Sequence, residues 1–117
     1  MPHQIAYKRL SRTDGHRKAL LRNLATSFFL HEKIETTTIK AREISKVVDR
    51  LITQARRGDL HSRRLVASYL LDPSVVKKLC EQIAPALKER NGGYTRITKT
   101  RIRRGDAAEI SMLELVK

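Results

Sequence analysis

Apolar residues recur along this chain in two rhythms, and the places where the rhythm changes mark where one element gives way to the next. From Thr13 to about His31, Leu20, Leu21, Leu24, Ala25 and Phe28 come at three- and four-residue steps, the spacing of a helix with one buried stripe. Thr13 or Asp14 can cap its start. Lys18 and Arg22 lie four apart on a different face. Lys33 to Thr37 alternates around Ile34 and is rich in Thr, which predicts a short strand. Thr38 suits the cap of a second helix, from about Ile39 to Arg57. Ala41, Ile44, Val48, Leu51, Ile52 and Ala55 make it the cleanest amphipathic helix of the chain. Gly58 closes it, with Arg56 and Arg57 at the negative end of the helix dipole.

Asp59 can cap a short third helix to about Leu70, with Leu65, Val66 and Tyr69 turned inward. Asp72-Pro73 is a specific start signal, a cap followed by proline in the first turn. The fourth helix, beginning there, buries Val76, Leu79, Cys80 and Ile83 and is disturbed at Pro85. Asn91-Gly92-Gly93 predicts a turn. Beyond it Thr95 to Arg103 alternates β-formers with basic residues, Gly105-Asp106 turns, and Glu109 to Val116 forms a last strand. Two strands around one turn make an antiparallel hairpin. The pattern predicts a two-layer α+β domain over residues 13–117, ordered helix, strand, three helices, two strands. Residues 1–12 have no clean period, carry Lys8, Arg9 and Arg12, and predict an extended arm ordered mainly by a partner.

Composition sharpens this picture in two ways. Hydrophobic residues are 40 % of the 117, enough for one modest core, but aromatics are only 4 %. The expectation is a core of Leu, Ile, Val and Ala. Charge says more. Twenty-five Lys and Arg against twelve Asp and Glu give a net charge of +13, and a small chain so charged calls for a polyanionic partner. Residues 1–23 hold six basic side chains and one acidic one, and residues 88–104 hold seven and one. Clustering of that kind marks a binding face, whereas a solubilising surface mixes both signs. No apolar run approaches the ~20 residues that span a bilayer, and the start MPHQIAYKRL lacks a secretory stretch. The single Cys80 suits a reducing compartment and reads as a small core hydrophobe.

Catalytic patterns are missing from the sequence. His3, His16, His31 and His61 are widely separated, and none pairs at the spacing of helical metal ligands. His31-Glu32 lacks the second His of a zinc-protease helix, and Gly92-Gly93 runs into Tyr94 rather than the Lys-Ser/Thr ending of a phosphate loop. No enzyme, cofactor, metal or small-molecule substrate is expected.

The basic blocks carry the chemistry instead. Arg12-Thr13-Asp14-Gly15-His16-Arg17-Lys18 puts cations and a His around a helix start, where free N–H groups can hold a phosphate. Arg9, Arg12, Arg17 and Arg22 can add forked hydrogen bonds to phosphate oxygens. The second block runs from Tyr94 through Arg96, Lys99, Arg101, Arg103 and Arg104. As a strand it sends Arg96, Thr98, Thr100 and Ile102 one way, and Ile97, Lys99, Arg101 and Arg103 the other. Cations on both faces fit a sheet edge or face pressed against nucleic acid, not a sandwich core. Tyr94 can either stack on a base or pack on the hairpin. Few aromatic platforms and no base-reading helix favour structured RNA over DNA. A DNA-binding architectural protein and a basic membrane-surface protein are the rival readings.

Three separated stretches carry a resemblance. His16-Arg17-Lys18-Ala19-Leu20-Leu21-Arg22-Asn23-Leu24, then His31-Glu32-Lys33-Ile34-Glu35-Thr36-Thr37 with Lys40-Ala41-Arg42-Glu43, resemble the family of the seventeenth protein of the bacterial large ribosomal subunit. Gly92-Gly93-Tyr94-Thr95-Arg96-Ile97, Gly105-Asp106-Ala107 and Glu114-Leu115-Val116 resemble that family's ending, so the likeness runs from about Leu10 to the C-terminus. It implies the same element order and a structural role in the bacterial cytoplasm. It also implies binding to 23S rRNA near the mouth of the peptide exit tunnel, beside the twenty-second and thirty-second large-subunit proteins. The RNA-contacting positions it implies are Lys8, Arg9, Arg12, His16, Arg17, Lys18, Arg22 and Asn23 in the arm and first helix. In the hairpin they are Tyr94, Arg96, Lys99, Arg101 and Arg103, to which Arg104 of the same basic block is added. Two departures stand out: Met1-Pro2-His3-Gln4 carries less charge than the family's usual start, and Cys80 sits where an aromatic is common.

Overall fold

The computed structural model describes Leu10 and residues 12–116, so most of the expected arm lies outside the described residues. Helix α1 spans Asp14–His31 and starts on Thr13, whose hydroxyl accepts the His16 N–H at 3.4 Å. It ends where Glu32 takes a left-handed φ of 64° and its N–H returns to the Phe28 carbonyl, a turn that satisfies one of the orphan acceptors of the last turn. Strand β1, Lys33–Thr37, comes at once. Helix α2 spans Thr38–Arg56. Thr38 is its first residue and not its cap: the hydroxyl turns into the sheet, 2.6 Å from the Ser111 hydroxyl and 3.3 Å from the Glu109 carbonyl. A buried Thr at a helix start has both choices, and here the sheet supplies the better partners. Gly58, with φ of 74°, takes the left-handed position beyond α2.

Helix α3, Leu60–Tyr69, is capped by Asp59, which accepts the Ser62 N–H at 2.7 Å. Val66 is buried and Tyr69 half-buried, but Leu65 is exposed, because α3 is short and presents only a narrow stripe to α2. Helix α4, Pro73–Lys78, starts on the expected Asp72 cap, whose carboxylate accepts the Ser74 N–H at 2.9 Å. It widens into a π-helical turn at Leu79–Ile83 before a last short helix, α5, Ala84–Ala86. The cause is Pro85. A proline ring clashes with the carbonyl four residues back, and the wider turn carries the Ala84 N–H to the Leu79 carbonyl instead.

Strands β2, Thr95–Ile102, and β3, Glu109–Leu115, form the expected hairpin. β3 also pairs antiparallel with β1, giving the order β1-β3-β2. One face of this sheet is covered by the helices, α2 chief among them. The α+β architecture and element order are those the sequence predicts. The core runs from Ala25, Phe28 and Phe29 of α1 through Ala41, Ile44, Val48, Leu51, Ile52 and Ala55 of α2 to Leu79, Ile83 and Leu113. Aromatics matter more to it than their number suggests. Phe28, Phe29 and Tyr94 are fully buried, and the two Phe rings meet edge to face at 5.5 Å, a favoured geometry. Each such buried side chain removes enough apolar surface from water to contribute about 1.5–3 kcal/mol.

Candidate nucleic-acid interface

Register places the hairpin cations. Ile97 pairs with Leu113, which pairs with Ile34, and all three join the core on the helix side. Paired residues share a face, so Lys99, opposite Ser111, stands on that side too. A β-bulge then intervenes between Lys99 and Arg101. Its extra residue is Thr100, whose hydroxyl donates to the Ile110 carbonyl at 3.1 Å. Arg101 therefore pairs with Ile110 and joins Arg96 and Thr98 on the open face, against the plain alternation expected from sequence. A bulge of this kind bends the strand and re-aims the side chains beyond it.

Arg101 reaches across that open face to Glu35 of β1 at 2.9 Å, and Arg96 lies 3.7 Å from Glu114. Lys99 lies 3.3 Å from Glu109 on the other side. At the tip Arg103 holds Asp106 with two hydrogen bonds of 3.1 and 2.6 Å. That guanidinium, helped by the Ala108 N–H, holds the Asp106 carboxyl down at about 2. Arg104 is exposed and has no ionic partner among the described residues. Between residues 95 and 109 the chain carries five cations and two acids, and β2 from Thr98 onward is exposed throughout. Exposed pairs of this kind add little to stability, so a phosphate oxygen can displace the carboxylates at little cost.

The first-helix positions divide. Lys8 and Arg9 lie outside the described residues. His16, Lys18 and Asn23 are exposed, and Arg12 is half-buried, donating to the Leu10 carbonyl at 2.6 Å. Arg17 is buried and bonded to Asp14, which also holds Lys18 at 3.1 Å. Those two cations hold the Asp14 carboxyl below its ordinary range, Lys18 foremost. Arg22 is half-buried and turns toward the end of α3. It donates to the Ser68 and Tyr69 carbonyls at 2.9 Å each and lies over the Tyr69 ring. Its fork therefore closes the C-terminal end of α3, a contact between residues 46 and 47 positions apart that no local pattern reveals.

Tyr94 resolves toward packing. Its ring is fully buried and its hydroxyl accepts from Arg56 and donates to the Arg90 carbonyl, leaving no face for a base. Arg56, which lies over the ring, is the residue that sequence reasoning treated only as a helix-end charge. Among the described residues no group of His, Cys, Asp and Glu could hold a metal ion, and no described helix is long and apolar enough to cross a membrane.

A sequence model described as ribosomal protein L17 matches residues 20–116. The chain belongs to the ribosomal protein L17 family. Among relatives of this family, the large ribosomal subunit protein bL17 of Campylobacter concisus is 53 % identical over 116 residues, covering 99 % of this chain and 98 % of its own. That of Caldanaerobacter subterraneus is 52 % identical over 112 residues, covering 96 % of this chain and all of its own length. That of Clostridium botulinum is 54 % identical over 110 residues, covering 94 % and 97 %. Family membership carries a structural role in the large ribosomal subunit and not an enzymatic one.

Proposed function

We propose that this L17-family chain binds 23S rRNA near the peptide exit tunnel, beside the twenty-second and thirty-second large-subunit proteins, and stabilises the packing of the RNA there. The exposed end of the hairpin carries the reading. Five cations stand along the hairpin, three of them beyond the bulge where the helices leave it uncovered, each movable from a surface carboxylate or from water to a phosphate. Arg96, Lys99, Arg101, Arg103 and Arg104 supply this contact, and Arg12, His16, Lys18 and Asn23, with Lys8 and Arg9 of the arm, supply a second one at the start of α1. Arg17, Arg22 and Tyr94 serve the fold that holds both. The helical layer is the rigid support, and the hairpin neutralises phosphates where RNA helices crowd together.

Neutralising phosphates releases counterions, so the binding must weaken steeply with salt. Replacing Arg103 and Arg104 together by Ala should lower the salt slope of binding to a 23S rRNA fragment by about 1.5, the share of two phosphates. An unchanged slope, or equal affinity for duplex DNA, overturns the reading.

A further inference from the structure

A second cationic surface lies at the other end of α2. The helix begins beside the hairpin, where Thr38 meets Glu109 and Ser111, and ends beside the start of β2, where Arg56 donates to the Tyr94 hydroxyl and the Lys88 carbonyl. Its 19 residues separate the two places by about 28 Å. Around this end lie Arg57, next in sequence to Arg56, and Lys88 and Arg90: Arg56 donates to the Lys88 carbonyl, and the Arg90 carbonyl accepts from Tyr94.

These cations differ from those of the hairpin in one respect. Arg96, Lys99, Arg101 and Arg103 each hold a carboxylate. Among the described residues Arg56, Arg57, Lys88 and Arg90 hold none. Of the nearby acids, Asp59 caps α3 and interacts with Arg57 only through space, Asp49 accepts from Tyr94 and Thr95, Glu81 lies 3.7 Å from Arg63, and Glu89 is exposed. Arg56 is fixed by a hydroxyl and a carbonyl, both neutral, and its Nε is buried without an acceptor. A guanidinium positioned in this way keeps its charge uncompensated. It opens onto a shallow cleft lined by Ala55, Gly58, Pro85 and Lys88.

We propose that this end of the molecule is a further RNA-backbone site, so that the protein bridges two rRNA segments about 28 Å apart, one at the hairpin and one here. The inference rests on the reading of the hairpin as an RNA contact. A phosphate backbone fits better than an acidic protein segment, because the cleft offers forked and point cations with no large apolar anchor, and protein interfaces depend on such anchors.

Hydroxyl-radical footprinting of full-length protein on 23S rRNA tests this, with Arg57→Ala, Lys88→Ala and Arg90→Ala combined in one variant and Arg103→Ala with Arg104→Ala in another. Arg56 is left intact because it holds Tyr94. The first variant should lose protection of one RNA segment while the hairpin segment stays protected, and its salt slope should fall by about 2–3. The hairpin variant should show the converse. A triple variant that keeps both footprints and its slope, while the hairpin variant loses its own, overturns the second site alone. Crosslinks from Lys88 to a ribosomal protein instead of RNA also overturn it. A wild-type protein that protects no rRNA overturns both readings.

Discussion

Strand β2 is two things in one stretch of eight residues. Its first half is structural: Tyr94 just ahead of it is fully buried, and Ile97 packs beside Leu113 and Ile34. Its second half, past Thr100, has Ile102 at 70 % exposure and cations on either side. The same β-forming alternation runs through both. What separates them is cover: α2 lies over the first half, and the bulge turns the second out beyond it. An exposed Ile there is tolerable for a short edge strand dressed with charge, and it leaves the cationic end bare for a partner.

The sharpest test of that division is Leu113→Ala. It removes a fully buried side chain flanked by strands on both sides, and denaturant unfolding should register a loss of about 2–5 kcal/mol. RNA affinity per folded molecule should stay unchanged. If affinity falls with stability, the two halves of β2 are not separable.

Acid titration contrasts the same two ends. Asp106 at the tip has its carboxyl held down to about 2 by Arg103. Its contribution to the folded turn is therefore present above the ordinary value of 3.8 and is lost only as pH falls toward about 2. Asp49, beneath Tyr94 and Thr95, is pushed the other way by burial, against hydrogen bonds from both. Its folded form keeps its proton more tightly than the unfolded chain, so stability falls as pH rises from the ordinary value through the raised one. Carbon-detected NMR titration should find the two carboxyls on opposite sides of 3.8. Asp49→Asn should flatten the fall in stability on that limb. Equal midpoints would remove the electrostatic part of the comparison.

The smallest expected effect is at the exposed end. Ile102→Ala should change stability by less than about 0.5 kcal/mol, as surface substitutions usually do, measured beside Leu113→Ala in the same denaturant series. A loss approaching the Leu113 value would mean that the end of the hairpin packs on the domain after all.

Much of the fold was legible locally. Asp59 and Asp72 cap the helices they announce, Pro85 disturbs its helix, and the six apolar positions of α2 are all buried. These signals act through neighbours a few residues away, so a single chain displays them. The candidate interface was legible as charge but not as geometry. Lys99 and Arg101 alternate in sequence as one face, yet a single extra residue parts them. Arg22 reads as a phosphate ligand, and its fork lies against the end of α3.

The sequence by itself determined the element order, the Asp59 and Asp72 caps, the charge blocks and the family, because each is written in spacing and local hydrogen-bonding capacity. Only the tertiary structure decided which cations face outward, that Tyr94 is core, and that Arg56 bonds Tyr94 and the Lys88 carbonyl. Those outcomes depend on partners roughly 30 to 65 residues away. A charged or aromatic side chain has several physically acceptable places, and packing selects among them only once the chain has closed on itself.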